Sequence, residues 1–454
     1  MLPTAFLERM KNMLDEDYPA FLHSLMDESA VRGARINRIK ADEGAVPSFA
    51  QGRRRIPYAK LAYYVDGDER VGMTPEHHAG IVYMQDPGAM CAIEAVDISD
   101  DLWVADLCAA PGGKSTQIAE MLGDGGFLLS NEYVPKRAKI IVGNMERLGV
   151  RNAIVTSMDT KELGDLYPEC FDLVVCDAPC SGEGMFRKNG EAQDEWSHEA
   201  VLSCAQRQLE ILENAYRMLK PSGRLLYSTC TWSTEENECV VTEFLHKHAD
   251  MHLIPVTEKI EAATADGIVI KGGEELGLTL TRRVYPHITE GEGQYIALMA
   301  KDGEAPKRST FVYKENTKAL TRDEMRVVDD FFAKTLVKKP FGRLIKNGDM
   351  VVLISHGCPI PPHSVFMSGV VVGELRRGVL HPHHQFFSAY GCDFRLTEEL
   401  TPEACEKYLR GEEISSSLTD SGFIALTYMG ATLGGGKLSG GRIKNHYPKG
   451  LRNH

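Results

Sequence analysis

Apolar and polar positions change their rhythm several times along this 454-residue chain. Phe6, Met10, Met13 and Leu14, then Tyr18, Phe21 and Leu22, recur at helical spacing and predict a short helical lead-in. A mixed, basic stretch to about residue 70 predicts short strands and loops. HHAGIVYMQDPGAMCAIEAV carries a turn signal at Asp86-Pro87-Gly88 and a helix-like run over 89–96. From Asp101, short strand-like apolar runs alternate with amphipathic ones. They predict strands at 102–107, 127–130, 153–156, 172–176 and 225–228. Helices are predicted from near Ser115, over 135–148, over 198–219 (stopped by Pro221 and Gly223) and over 235–246. GLTLTRRVYPH, the turn TEGEG and QYIALMA read as closing strands of the same sheet. Strands and helices in this alternation make an α/β domain over 76–300, with a doubly wound, mostly parallel, Rossmann-like sheet. After Ala300 the alternation stops. KDGEAPKR reads as a linker, 301–365 as a small mixed module and 366–454 as a β-rich one, while 1–75 is a helical and mixed extension.

Composition adds limits. The chain is 43% apolar and 25% charged, ordinary for a globular protein. Its first residues lack a basic segment followed by an apolar one, and no apolar run approaches the ~18–20 residues of a membrane span. The expectation is a cytoplasmic protein with no membrane partner. Eleven cysteines, odd in number and without CxxC pairs, are expected to be reduced and mostly buried, with Cys108, Cys170, Cys176 and Cys204 as small core residues.

The net charge of -13 argues weakly against a nucleic-acid partner, yet charge is uneven. Arg32, Arg35, Arg38, Lys40, Arg53, Arg54, Arg55 and Lys60 face only Asp42 and Glu43 within 32–60. Lys437, Arg442, Lys444, Lys449 and Arg452 have no acidic neighbour in the tail. Both ends are suited to phosphate, unless they are simply solvated loops.

Candidate chemistry collects at predicted strand ends. The run FDLVVCDAPC delivers Asp177 and Cys180 from the carboxyl end of one strand, followed by SGEG, and GRLLYSTCT delivers Cys230 from another. If both strands share a sheet, two thiols and a carboxylate meet at one edge. Asp106-Leu-Cys-Ala-Ala-Pro-Gly-Gly-Lys-Ser-Thr116 joins the first strong strand to a helix. Its glycines allow close backbone approach, and Ser115 or Thr116 is expected to cap the helix. The spacing is neither GxGxxG nor a P-loop, which favours a nucleoside ligand without pyrophosphate. Glu132 ends the second strand, where a carboxylate accepts ribose hydroxyls. Asp159 follows the third, within reach of an adenine amino group; both acids would otherwise be helix caps or solvent-facing groups. His77 and His78 read as loop or edge residues, and His381, His383 and His384 as a loop about Pro382 without zinc.

With DLCAAPGGKST (106–116), NEYVPKRAK (131–139), DAPCSGEGMF (177–186), YSTCT (227–231), RVYPH (283–287) and GEG (291–293), the chain resembles the S-adenosylmethionine-dependent RNA cytosine-C5 methyltransferases. GARINRIK at 33–40 is a degenerate version of a further family segment. KNHYPKGLR at 444–452 resembles the bacterial branch that acts on small-subunit ribosomal RNA, whose members carry a PUA-like RNA-binding region after the catalytic domain.

The resemblance implies a class I methyltransferase fold and S-adenosyl-L-methionine as cofactor. Ala109, Ala110, Pro111, Gly112, Gly113, Lys114 and Ser115 would line its methionine and ribose portion. Glu132 would hold the ribose, assisted by Arg137, and Asp159 the adenine; Asp177 would sit beside both cofactor and target base. Cys230 matches the family nucleophile and Cys180 the cysteine implicated in product release. The chemistry agrees, because C5 of cytosine is too poor a nucleophile until a thiolate adds at C6. A protonated Asp177 would hydrogen-bond N3 during that addition. Phe186 and Trp196 would support the substrate, or Trp196 would anchor a lid. The implied partner is small-subunit rRNA or the assembled 30S particle, bound by a monomer. Transfer RNA as substrate, or a non-catalytic assembly factor, are the alternatives.

Overall fold

The computed structural model describes residues 2–27, 32–41, 50–66, 69–123, 125–188, 190–304, 313 and 315–453. Asp42 and Glu43, and residues 305–308 of the expected linker, lie outside them.

The chain opens with helices Thr4–Leu14 and Tyr18–Met26, as the apolar spacing predicts. Three short strands follow, β1 (Arg32–Ile36), β2 (Ala62–Val65) and β3 (Val82–Gln85), in an antiparallel sheet with β1 in the middle. Asp86-Pro87-Gly88 is a helix start and not a free turn. Asp86 caps helix Pro87–Glu94 through the Gly88 N–H, and Pro87 takes the first helical position, where no amide hydrogen is needed.

The central sheet has five parallel strands: β4 (Trp103–Asp106), β5 (Phe127–Asn131), β6 (Ala153–Thr156), β7 (Phe171–Asp177) and β8 (Leu219–Thr229). They lie in the order β8-β7-β4-β5-β6, so the winding reverses between β4 and β7. Antiparallel strands β9 (Met251–Leu253), β10 (Ala265–Asp266), β11 (Arg282–Val284) and β12 (Gln294–Lys301) extend the sheet beyond β8. Alternate residues feed two cores. Phe127, Leu129 and Val174 face one layer of helices, and Leu128, Leu173 and Val175 the other.

Helix Pro135–Leu148 and strand Ala153–Thr156 have the bounds read from the pattern. Two other boundaries move. Helix His198–Met218 passes directly into β8, so Pro221 and Gly223 lie in an irregular strand start where the β7–β8 register shifts. The helix expected from 235 runs instead over Glu238–Lys247. Asn237 is spent on the turn after β8, accepting from the Thr229 hydroxyl (2.6 Å) and donating to the Thr231 carbonyl (3.0 Å).

Beyond residue 315, helix Arg322–Thr335 starts with a capping box from Thr321 and Glu324. A four-stranded sheet joins β13 (Arg343–Asn347) and β14 (Met350–Ile354) to β16 (Val370–Arg376) and β17 (Val379–Pro382). It spans the expected division at 365/366, because pairing partners distant in sequence leave no local signal. Between them β15 (Val365–Ser368) adds to the catalytic sheet beside β6. A five-stranded sheet, with Gly422–Tyr428, Ala431–Ser439 and Arg442–Asn445 at its heart, closes the chain. With the N-terminal sheet it shares one apolar core, which holds Ile36 and Tyr63 together with Ile424 and Leu433.

The histidines are less peripheral than expected. His77 and His78 end a one-turn helix, Pro75–His78, and the His78 ring meets the Tyr447 hydroxyl at 3.2 Å. His381 lies in β17, and His383 caps helix His384–Tyr390. Among the described residues no His, Cys, Asp and Glu group could hold a metal ion, and no helix is long and apolar enough to cross a membrane.

The basic stretch 32–60 is partly internal. Arg35 is buried against the Glu120 carboxylate, and Lys40 donates to the carbonyls of Ala79 and Thr432 and to Ser388 Oγ. Arg38, Arg54, Arg55 and Lys60 stay on the surface.

Candidate active site

At the end of β4, Asp106 lies under the loop that leads to helix Gly113–Met121. The Ala109 N–H reaches back to the Asn131 carbonyl (2.8 Å), holding the loop across the end of β5. Gly112 precedes the helix at φ +107°, a conformation that side chains with a Cβ rarely adopt. No side chain caps this helix, contrary to expectation. The Ser115 hydroxyl points down, donating to Asp106 Oδ2 (2.5 Å) and meeting Ser130 Oγ (2.6 Å). The Thr116 hydroxyl instead donates to the Gly113 carbonyl and accepts from buried Arg35. Asp106 Oδ1 is buried without a partner. Burial pushes Asp106 up to about 7, against the Ser115 hydrogen bond and with help from the Asp177 charge.

Glu132, just past β5, is buried, and its Oε1 accepts from the Val134 N–H at 3.0 Å. Arg137 is half exposed and spans Glu132 Oε2 (3.3 Å) and the Ala110 carbonyl (3.2 Å), tying the end of β5 to the loop after β4. Asp159 is exposed and caps helix Thr160–Leu166 through the Lys161 N–H (2.8 Å). It follows β6, next in line from Glu132.

Across the switch point, β7 ends in Asp177 and β8 ends one residue before Cys230. Asp177 pairs in register with Ser228. The Cys180 and Cys230 sulfurs are 3.2 Å apart. Gly184 holds the Cys230 side. The Gly184 N–H donates to the Cys230 carbonyl (2.9 Å), and a Cβ at residue 184 would lie 2.9 Å from that oxygen and 2.7 Å from the Gly293 carbonyl, so only glycine fits. The contact to Cys230 and burial push the Cys180 thiol well up.

Asp177 accepts from Lys114 Nζ (2.8 Å), Ser228 Oγ (2.7 Å) and Gln294 Nε2 (3.2 Å). Lys114 therefore leaves the cofactor loop for the other side of the site. Burial alone would lower its pKa, but the adjacent Asp177 charge holds it above its ordinary value.

Sequence reasoning missed the shell behind the sulfurs. Glu236 takes the Ser181 N–H (2.9 Å), the Ser181 hydroxyl and Gln208 Nε2 (2.9 Å). Glu183, fully buried, pairs with Arg9 and accepts from Trp196 Nε1 (2.9 Å) and the Trp232 N–H (3.1 Å). Phe186 packs edge-on against Phe6, 5.0 Å between ring centres, so it belongs to a core with the N-terminal helices. Trp196 anchors the same core. The available signal was an acidic run, EENE at 235–238, five residues on from Cys230.

Three family models match in chain order. They are the N-terminal domain of 16S rRNA methyltransferase RsmF over residues 2–87, 16S rRNA methyltransferase RsmB/F over 93–300 and the methyltransferase RsmF PUA domain over 395–453. Ribosomal RNA small subunit methyltransferase F of Vibrio campbellii is 30% identical over 482 residues, covering 99% of this chain and 97% of its own. This chain belongs to the RsmF family. The Vibrio vulnificus relative of the same name is 28% identical over 476 residues, with the same coverage. Among solved structures, a methyltransferase homolog protein from Pyrococcus horikoshii is 27% identical, with a TM-score of 0.57 over 66% of this chain and 95% of that one. NSun6 from the same organism, 20% identical with a TM-score of 0.57 over 66% of this chain and 99% of that one, shares the fold.

As an RsmF-family member the chain is a methyltransferase, and its cofactor is S-adenosylmethionine. The residues present fit that group. Acidic side chains stand at successive strand ends, one with a buried oxygen lacking a partner, and suit a cationic ligand with ribose hydroxyls better than a polyphosphate.

Proposed function

We propose that this enzyme methylates C5 of a cytosine in 16S ribosomal RNA through a covalent intermediate on Cys230. The observation that carries the reading is the pair of sulfurs 3.2 Å apart beside the Asp177–Lys114 pair. Bound S-adenosylmethionine supplies an electrophilic methyl group. The backbone from Ala109 to Ser115 would form its cradle, Glu132 with Arg137 would receive the ribose, and Asp159 the adenine. The Cys230 thiolate adds to C6 of the flipped-out base, and the electron pair displaced to C5 would take the methyl group as the cofactor's S–CH3 bond breaks and its electrons pass to the departing sulfur. Lys114, paired with Asp177, is the donor poised for charge that develops on the ring. Once Cys230 is bonded to C6, the contact to its sulfur that raises the Cys180 thiol is gone. Cys180 as thiolate, or a water it orders, takes the C5 proton, and the electrons left behind expel Cys230 and restore the aromatic ring.

The surface arginines and lysines of 1–75 and the exposed Lys437, Arg442, Lys444 and Lys449 of 366–454 support contact with RNA phosphates. Unpaired thiols, including exposed Cys239 and Cys392, fit a reducing cytoplasm, and we take the working form to be a monomer on the small subunit or its RNA. The test offers 30S particles, naked 16S rRNA and transfer RNA with labelled cofactor, followed by base-resolution mapping of 5-methylcytosine. Label in 16S rRNA, as such or in the particle, is expected; label confined to transfer RNA would overturn the substrate assignment.

A further inference from the structure

We infer that Glu236 is a positioning residue for product release, holding the Cys180 turn over the Cys230 sulfur. The inference rests on the two-cysteine reading above and deepens it. Glu236 is fully buried in the short connection between β8 and helix Glu238–Lys247. Its carboxylate accepts the Ser181 hydroxyl on one oxygen, and the Ser181 N–H and Gln208 Nε2 on the other, both at 2.9 Å. Gln208 Nε2 also donates to the Pro179 carbonyl at 3.0 Å. Both residues flanking Cys180 are therefore fixed by one unit. Ser181 Oγ lies 3.0 Å from Thr231 Oγ1, which carries the same unit to the residue after Cys230. The Tyr227 hydroxyl locks the frame from below, reaching the Glu236 carbonyl (2.6 Å) and Gln208 Oε1 (2.9 Å).

This frame acts on the two thiols unequally. Cys230 is set directly by β8 and by the Gly184 N–H, and it meets Glu236 only at one remove, through Ser181 and Thr231. Cys180 lies on a turn past the end of β7, and its neighbours depend on Glu236. The carbon that loses its proton is bonded to the carbon that holds Cys230, so Cys180 must approach within hydrogen-bonding reach of a fixed point. Burial raises Glu236 to about 7, and the hydrogen bonds from Ser181 and Gln208 oppose that shift.

The test uses the full chain, S-adenosylmethionine and the substrate RNA, and times adduct formation and adduct release separately in single turnovers. Glu236→Ala should form the Cys230 adduct at the unaltered rate and release it roughly 10- to 100-fold more slowly, the cost typical of a misplaced reacting group. Glu236→Gln, which keeps an acceptor for Ser181, should recover part of that loss. A merely structural role would slow both steps together. If Glu236→Ala does not fold, Ser181→Ala carries the test, with slowed release and unaltered formation expected. Equal slowing of both steps, or unaltered release in folded variants, would overturn the inference. Cys180→Ala run alongside separates the two levels. An adduct there, with none building up in the Glu236 and Ser181 variants, defeats this inference alone, whereas no adduct there defeats the two-cysteine reading and this inference with it.

Discussion

A cysteine at the end of a buried strand is ordinarily part of the core, and Cys176, fully enclosed one residue before Asp177, is an example. Cys230 and Cys180 differ because β8 and β7 release them past the sheet edge, where they face each other. Their proposed roles separate cleanly in variants. Cys230→Ala should abolish methylation and leave cofactor affinity unchanged, as read by turnover and by equilibrium binding. Lys114→Met should reduce turnover by about 10²-fold or more, the scale of removing one donor from a site where charge develops. Unchanged turnover in that variant would remove Lys114 from the chemistry. The two thiols and Asp177 were legible in the sequence because each follows a strand-like apolar run. The partner of Asp177 was not, since nothing in GGKST says that its lysine crosses from one strand end to another.

At the scale of elements, the N-terminal helices are tied to the catalytic loop through Arg9 and Glu183. Arg9→Ala leaves the fully buried Glu183 without its cation and should destabilise the protein by about 1–3 kcal/mol, measured by denaturant midpoint. A midpoint unchanged by the substitution would show that Trp196 and the Trp232 N–H suffice. A second prediction concerns pH. Burial raises Glu146, on helix Pro135–Leu148, to about 7. A carboxyl raised on folding gives stability that is full below its unfolded pKa of about 4 and is lost as pH rises through about 7. Glu146→Gln should therefore gain thermal stability relative to the parent as pH goes from 5 to 8, and a constant difference between the two would contradict this. Element types were legible wherever period and length agreed, as in Pro135–Leu148. Boundaries failed where side chains served the site instead of the helix, as Ser115 does under Asp106 and Asn237 does behind Cys230.

Across the whole molecule, the central sheet, the N-terminal sheet and the C-terminal sheet form one continuous body, sewn by β15 beside β6 and by Lys40 between the Ala79 and Thr432 carbonyls. A sequence pattern reports which face of a strand is apolar and not which distant strand covers it, so this arrangement could not be read beforehand. Exposed Lys437 and Lys444 stand opposite each other on neighbouring strands, with Arg442 nearby. Replacing all three by Gln should weaken RNA binding and lower the slope of log affinity against log salt by about 2–3, at roughly 0.7–0.9 per lost phosphate contact. An unaltered slope would move the RNA path off this face.

The most direct test of two thiols sharing one cytosine is to incubate Cys180→Ala with substrate RNA and S-adenosylmethionine, then digest and identify the RNA-bearing peptide by mass spectrometry. The account predicts a methylated cytidine attached to the peptide containing Cys230, and none when Cys230 is also replaced. An adduct on any other residue, or full turnover by Cys180→Ala without an adduct, would contradict it.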